Sequence, residues 1–315
     1  MAQDEKNWER ETLEKLAFSA LKEQTRRRRW GIFFKLLTLA YLTVLILMAF
    51  EWSGSSELIA EGTHTALVDL DGVIDANGDA NADKVSSALQ SAFKDKNTKG
   101  VILRIDSPGG SPVQAAIIND EMRRLRGVYP KIPLYVVVED ICASGGYFVA
   151  VAADKIYVNK ASLVGSIGVL MDGFGYTGTM QKLGVERRLL TAGENKGFMD
   201  PFSPENPKQK AYALSMLNDI HQQFIDVVKQ GRGKRLKDDP ELFSGLIWTG
   251  RKAVELGLAD GYGSVESVAR DVIKAKNIVD YTEKSNPVER IAKRFGAAAA
   301  KSFVDFATSE SIRLR

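Results

Sequence analysis

Ile141-Cys-Ala-Ser-Gly-Gly-Tyr147 joins two apolar runs, and the manner of the joining decides the fold. Ahead of it, Pro133-Leu-Tyr-Val-Val-Val138 is short, continuous and β-branched, the pattern of a buried strand. Behind it, Phe148-Val-Ala-Val-Ala-Ala153 is a run of small residues that can continue as a helix. Ser144 then occupies a tight strand-to-helix turn. The glycines after it let other backbone come close. A helix N-terminus also directs unpaired N–H groups at whatever binds there. Such a turn suits a nucleophilic serine. It suits equally a serine that caps the helix beside a packing glycine pair, and this stretch leaves both readings open.

The same alternation extends to either side. Thr65–Leu70 reads as a strand closed by Asp71-Gly72, and Ala82–Lys94 as a helix with Val85, Ala88, Leu89, Ala92 and Phe93 on one face. Gly100–Ile105 reads as a strand running into Ser107-Pro-Gly-Gly-Ser111, Val113–Leu125 as a helix and Lys155–Val158 as a strand. Strands alternating with helices predict an α/β fold with a parallel sheet. Right-handed crossovers bring the strand C-terminal ends together. The glycine turns at 107–111 and 144–146 lie at such ends, where open α/β sheets bind ligands. Gly165-Ser-Ile-Gly168 is a third glycine turn. A helix around Thr179–Leu183 and a strand at Arg187–Thr191 are expected next, and the loop Ala192–Phe202 ends the pattern. Pro204–Lys229 includes a long helix, striped by Ala213, Met216, Leu217, Ile220, Phe224 and Val228. Trp248-Thr-Gly250 reads as a turn, followed by a short helix from Arg251 that stops at Gly257. Val265–Lys276 reads as a last helix.

Residues 1–29 are polar and end in Arg26-Arg-Arg-Arg29. Ile32–Phe50 is then almost uniformly apolar, and its 19 residues would span roughly 28 Å as a helix, about one hydrocarbon thickness. Trp30 and Trp52 bracket it as interface anchors, and Lys35 can snorkel. A cleaved signal peptide would have a shorter polar lead and a small-residue cleavage site, and a core helix would be less uniformly apolar. The expectation is a single-pass membrane anchor. The arginines keep the N-terminus cytoplasmic, so the rest of the chain lies across the membrane; in a bacterium the anchor is then in the inner membrane and the rest in the periplasm or outside the cell. The expected organisation is 1–29 cytoplasmic segment, 30–52 anchor, 53–62 linker, 63–282 α/β domain and 283–315 tail. Pro287–Phe306 in that tail could form an amphipathic helix.

Charge and composition limit the chemistry. Lys and Arg number 43 against 40 Asp and Glu, a formal +3, so no nucleic-acid partner is implied. The one cysteine, Cys142, excludes an internal disulfide. Cys142 with two scattered histidines makes no zinc set, and no Walker motif is present, so no metal, nucleotide or other cofactor is expected. A serine hydrolase needs a nucleophile, a base and an oxyanion hole. His64 follows the anchor and His221 lies on the long helix. Neither is in a glycine-rich loop, so a histidine triad is not expected. A lysine can serve as base if it is desolvated enough to lose its proton. Most lysines here lie on charged helical faces. Lys196 instead sits among Gly193, Gly197, Phe198, Met199, Pro201 and Phe202, although Glu194 and Asp200 are near enough to pair with it.

Five motifs recur in one order: Ser107-Pro-Gly-Gly110, Ala143-Ser-Gly-Gly-Tyr147, Gly165-Ser-Ile-Gly168, Gly193-Glu-Asn-Lys196 with Pro201-Phe202, and Trp248-Thr-Gly250 with Gly257-Leu-Ala-Asp260. Each is weak by itself, but the ordered set over about residues 65–275 resembles the signal peptide peptidase A family. These are membrane-anchored serine peptidases on the ClpP/crotonase fold, a spiral of βαβ units with a C-terminal helical part. The resemblance implies Ser144 as nucleophile and Lys196 as general base. It implies an oxyanion hole from the N–H of Gly145 and one in the Gly109–Gly110 turn, with Ser166 helping to hold the lysine. It further implies hydrophobic peptide substrates such as signal-peptide remnants. This chain is the single-unit form, which implies a homo-oligomer, a ring of eight with the dyad completed between neighbours. Two rivals share the fold: an acyl-CoA hydratase or isomerase of the crotonase type, and a non-enzymatic membrane scaffold. The anchor and the Ser144/Lys196 pair argue against the first, and the intact serine and lysine against the second.

Overall fold

The computed structural model describes residues 22, 24–44 and 62–283. They fall into two units, with 24–44 in the first and 62–283 in the second. Residues 24–44 form a helix, α1, that carries Arg26–Arg29 and runs on into the apolar stretch. Among the described residues no helix is long and apolar enough to cross a membrane. The expected anchor at 30–52 lies outside them from residue 45 onward, as do most of the 53–62 linker and the tail beyond 283.

The second unit is built on β1 (His64–Asp71), β2 (Thr98–Ser107) and β3 (Leu134–Ala143), which are parallel. Helices α2 (Ala82–Lys94) and α3 (Pro112–Val128) connect them. Asn81 caps α2 and Ser111 caps α3, each side chain accepting from a first-turn N–H. The strands read as continuous apolar runs because both faces are covered. Val68, Leu103 and Val136 point into the main core with the apolar faces of α2 and α3. The alternate residues Leu67, Ile102 and Val137 point the other way, onto Val265, Val268 and Ala269. Each buried Leu, Ile or Val contributes roughly 1.5–3 kcal/mol.

The sheet forks along β3. Its first half, Tyr135–Val137, pairs with β4 (Lys155–Val158), which pairs with β7 (Gly261–Tyr262). Its second half, Ile141–Ala143, pairs with β5 (Leu163–Gly165). Two residues more on β3 than on β2 separate the pairs Ile105–Val138 and Ser107–Cys142. The resulting bulge is held where Asp106 Oδ1 accepts from Ile141 N–H at 3.1 Å. The second branch thereby leaves the first, and Ser144 stands at its end. The branch finishes in β6 (Ile247–Thr249), which is antiparallel to β5. On the far edge, β8 (Ile278–Asp280) runs parallel to β1. The α/β arrangement and its parallel strands agree with the expectation, β6 being the antiparallel exception.

Beyond β5 lie α5 (Thr177–Leu183) and the long α6 (Pro207–Arg232), then α7 (Gly250–Glu255) and α8 (Val265–Ser267), which continues as a π-helical turn over Val268–Ile273. That turn ends at left-handed Lys274, short of the expected Lys276. Trp248 and Thr249, expected as a turn, lie in β6. The strand expected at Arg187–Thr191 does not form. No neighbouring strand reaches it, and its hydrophobic side chains face solvent, with Leu190 96 % exposed. Without a neighbour to supply ladder bonds, a short apolar segment does not make a strand.

Candidate active site

The turn at Ser144 is strained. Its φ of 51° and ψ of −121° lie where side-chain-bearing residues are rare. It is held from both sides, because Ser144 N–H donates to Gly165 O at 2.8 Å and its carbonyl accepts from Phe148 N–H at 2.9 Å. Ser144 occupies the N-cap position of α4 (Gly145–Ala150), yet its side chain makes no capping bond. Ser111, Thr249 and Ser264 do cap their helices. The capping reading of Ser144 therefore fails, and its hydroxyl is left for the cavity. α4 itself is fixed from below. Tyr147 is fully buried and its hydroxyl donates to Leu258 O at 2.8 Å. The 257–260 segment is tied in turn by buried Arg232, which donates to Gly257 O at 2.9 Å and pairs with Asp260 at 2.7 Å. Burial disfavours charge on Asp260, but the hydrogen bond and charge of Arg232, the Ile156 N–H and Arg235 outweigh it and hold the carboxyl below its usual range.

A cavity of about 600 Å³ opens at Ser144. Gly110, Gly145 and Ser166 line it together with Ser144, and Ala115, Phe148, Val169, Leu170, Ile220 and Phe224 give it apolar walls. Gly145 is the first residue of α4, so its N–H has no acceptor within the helix. The Ser107–Ser111 turn packs directly on it. A Cβ on Gly109 would stand 2.6 Å from Gly145 N, and one on Gly110 would stand 2.1 Å from Ile74 O. Only glycine fits either position. Gly110 forms a parallel bridge with Ile74, in which Ile74 N–H donates to Gly109 O and Ser111 N–H to Ile74 O, both at 2.8 Å. In such a bridge the N–H of Gly110 itself points away from Ile74. The opposite side is the Ser144–Gly145 side, since a Cβ built on Gly145 lies 3.3 Å from Gly110 N. Gly109 N–H is already given to Ser107 Oγ at 3.1 Å, so of the two glycines expected to donate, Gly110 has the free N–H.

Ser166 shares the positive φ of Ser144, at 51°. Its N–H donates to Leu246 O at 2.7 Å. His221 Nε2 lies 3.0 Å from Ile167 O and braces the same turn. His64 is buried at the start of β1, 3.0 Å from the hydroxyl of Tyr281. Neither histidine lines the Ser144 cavity.

Lys196 is not in that cavity. It is exposed on a series of turns over 194–199, and its N–H donates to Gly193 O at 3.1 Å. The alternative pairing with Asp200 does not form. Asp200 pairs with Arg187 at 3.5 Å and accepts from the Ser203 hydroxyl at 2.6 Å. Among the described residues Lys196 makes no ion pair. Residues 169–206 form an arm held to itself by Tyr176 stacked on Phe202, Arg187 over the Phe202 ring, and Tyr176 N–H donating to Pro201 O. Phe198 meets Tyr212 of α6 edge-on, while Phe174, Leu183 and Leu190 face solvent.

The fold and the glycine-lined turn place an unspent serine hydroxyl beside an apolar cavity at the carboxyl ends of an α/β sheet. Comparison with known proteins supplies the family. The model of peptidase family S49 matches residues 128–279, which include Ser144, Ser166 and Lys196. A protein of Enterococcus faecium, provisionally named signal peptide peptidase SppA, is 30% identical over 239 residues, covering 72% of this chain and 69% of that protein. Protease 4 of Haemophilus influenzae is 30% identical over 220 residues, 68% of this chain and 35% of that protein. A Brucella abortus protein named Na(+)/H(+) antiporter NhaA is 43% identical over 225 residues, which cover 69% of this chain but 30% of the length of that relative. The chain belongs to peptidase family S49.

Proposed function

We propose that this chain is a membrane-bound serine endopeptidase that cleaves hydrophobic peptides, such as signal-peptide remnants, with Ser144 as nucleophile and Lys196 of a neighbouring copy as base. The observation that carries the reading is the unspent hydroxyl of Ser144 on a strained turn, beside two free N–H groups and an apolar cavity. An uncharged Lys196 amine takes the Ser144 proton, and the alkoxide adds to the substrate carbonyl. The oxyanion is held by the N–H groups of Gly145 and Gly110, each worth about 3 kcal/mol in the transition state. The intermediate collapses, the ammonium returns its proton to the leaving amine, and water repeats the sequence on the acyl-enzyme. Phe148, Phe224 and Ile220 suit an apolar side chain next to the cleaved bond.

Two features support a shared dyad. Lys196 lies outside the Ser144 cavity of its own chain, and the arm that carries it exposes the large apolar side chains Phe174, Leu183 and Leu190. In the proposed assembly, a ring of eight, each arm packs on the next copy, and Ser166 there helps to hold the incoming lysine. A span through residues 30–52 keeps the N-terminus cytoplasmic and the ring outside the cytoplasm, near the membrane from which its substrates come. A fluorophosphonate probe with a hydrophobic reporter peptide tests the reading. Wild type should label and cleave, and Ser144→Ala should do neither. A wild-type protein that assembles but does not label would sink it.

A further inference from the structure

Glycine makes the oxyanion turn possible but does not fix its orientation. Gly109 and Gly110 have φ of 100° and 146°, a freedom that leaves the turn to be fixed by its hydrogen bonds. Something must choose which N–H faces the cavity. Along the turn Pro108 has no N–H, and Ser111 N–H goes to Ile74 O. Two donors remain, those of Gly109 and Gly110. The Ile74 N–H bond to Gly109 O holds the Gly109–Gly110 peptide, whose N–H then points the opposite way, and the Pro108–Gly109 peptide is held by the side chain of Ser107. That side chain is completely buried, its hydroxyl donates to Gly72 O at 2.6 Å, and the same oxygen accepts from Gly109 N–H at 3.1 Å. Both ends of that relay are well-paired backbone. Gly72 N–H donates to Asp106 O, and the carbonyl of Gly109 accepts from Ile74 N–H. No element of the proposed chemistry uses the Ser107 hydroxyl, and a buried hydroxyl held so closely calls for a role.

We propose that Ser107 is a positioning residue for acyl transfer: by tying Gly109 N–H to Gly72 O through its hydroxyl, it leaves Gly110 N–H as the one donor of the turn that faces Ser144. The role rests on the peptidase reading and names the group that sets its oxyanion hole. Without the hydroxyl, Gly109 N–H and Gly72 O lose their buried partner, and the Pro108–Gly109 side of the turn is no longer held against the half pinned by Ile74. The loss is felt where charge develops on the oxygen, not where the substrate first binds.

The test uses the full-length assembled protein, a hydrophobic reporter peptide and a peptide boronate, whose tetrahedral adduct on Ser144 places an oxygen in the oxyanion position. Ser107→Ala should lower kcat by roughly 10- to 100-fold, less than removal of a donor itself, while KM stays within about two-fold. The boronate inhibition constant should rise in step with the fall in kcat/KM. Binding of the uncleaved peptide, measured in a Ser144→Ala background, should not change. Ser107→Cys keeps a weak donor and acceptor in nearly the same volume. It should fall between wild type and alanine, and it carries the test if the alanine variant does not fold. A folded variant with wild-type kcat, or one whose boronate and peptide affinities fall together, overturns the role and leaves the peptidase reading intact. A wild-type protein that neither labels nor cleaves removes both.

Discussion

The two candidate catalytic residues stand in opposite kinds of surroundings. Ser144 is fixed by nearly everything the fold has: β3 behind it, Gly165 across the fork, Tyr147 and the Arg232–Asp260 pair below it, and a glycine turn packed against Gly145. Lys196 has almost none of this. It rides on turns in an arm whose apolar side chains meet water. The difference teaches that the chain spends its core on orienting the proposed nucleophile and oxyanion donors, where small errors are costly. The proposed base is left on an exposed arm.

The comparison breaks most directly at the dyad. Ser144→Ala should lower kcat by on the order of 10⁶, and Lys196→Ala by nearly as much, since such residues act as a unit. Mixing the two inactive proteins should restore part of the activity in a reporter-peptide assay, because some junctions then hold an intact serine beside an intact lysine. If mixing restores nothing while subunits exchange, the dyad lies within one chain. The next largest effect falls on the rigid half. Asp260→Ala leaves the buried Arg232 guanidinium without its carboxylate and should cost about 3–5 kcal/mol in denaturant unfolding. The same carboxylate predicts an acid dependence. Its folded-state pKa is depressed, so its stabilisation is present above the unfolded value of about 4 and is lost as pH falls through the folded value. Asp260→Asn should flatten that part of the stability–pH curve, and an unchanged slope would remove the assignment.

The exposed half is sharpened by Leu190→Glu. On a free surface this change should stay within about 0.5 kcal/mol of wild-type stability. On an arm that packs against a neighbour it should shift light scattering toward smaller species and lower activity about ten-fold or more through lost assembly. Wild-type mass and activity together would count against the arm as an interface. The smallest effect is expected at the cavity wall. Phe148→Ala should change kcat/KM by about ten-fold or less and move the preference beside the cleaved bond toward larger apolar side chains. Peptide-library profiling checks it.

What could be read in the sequence follows the same division. The strands and helices over 64–158 were legible because the strands are short continuous apolar runs, the helices keep an apolar stripe, and the glycine turns are local signals. Ser144 was legible for that reason too, as a serine between a buried strand and a glycine pair. The failures lie where a residue's state depends on distant partners. Arg187–Thr191 has the composition of a strand but no strand beside it. β6 and β8 are three residues each, made into strands by β5 and β1. The choice of Gly110 over Gly109 turns on a hydroxyl bond and on a bridge to Ile74, more than thirty residues away in the chain. The Ser-Pro-Gly-Gly motif did contain Ser107, but nothing in a sequence says toward which backbone groups a buried hydroxyl turns.

β8 has a consequence for how the protein is made. β1 is the first strand of its domain to be synthesised and β8 the last, yet β8 lies on its open edge, with Tyr281 N–H donating to Leu67 O at 2.8 Å and Asp69 N–H to the Thr282 hydroxyl at 3.0 Å. Until the ribosome has passed residue 282, an eight-residue, largely apolar strand offers its unpaired edge to any other extended chain. The nascent domain thus passes most of its synthesis in an aggregation-prone form, and its final strand is the seal that closes it.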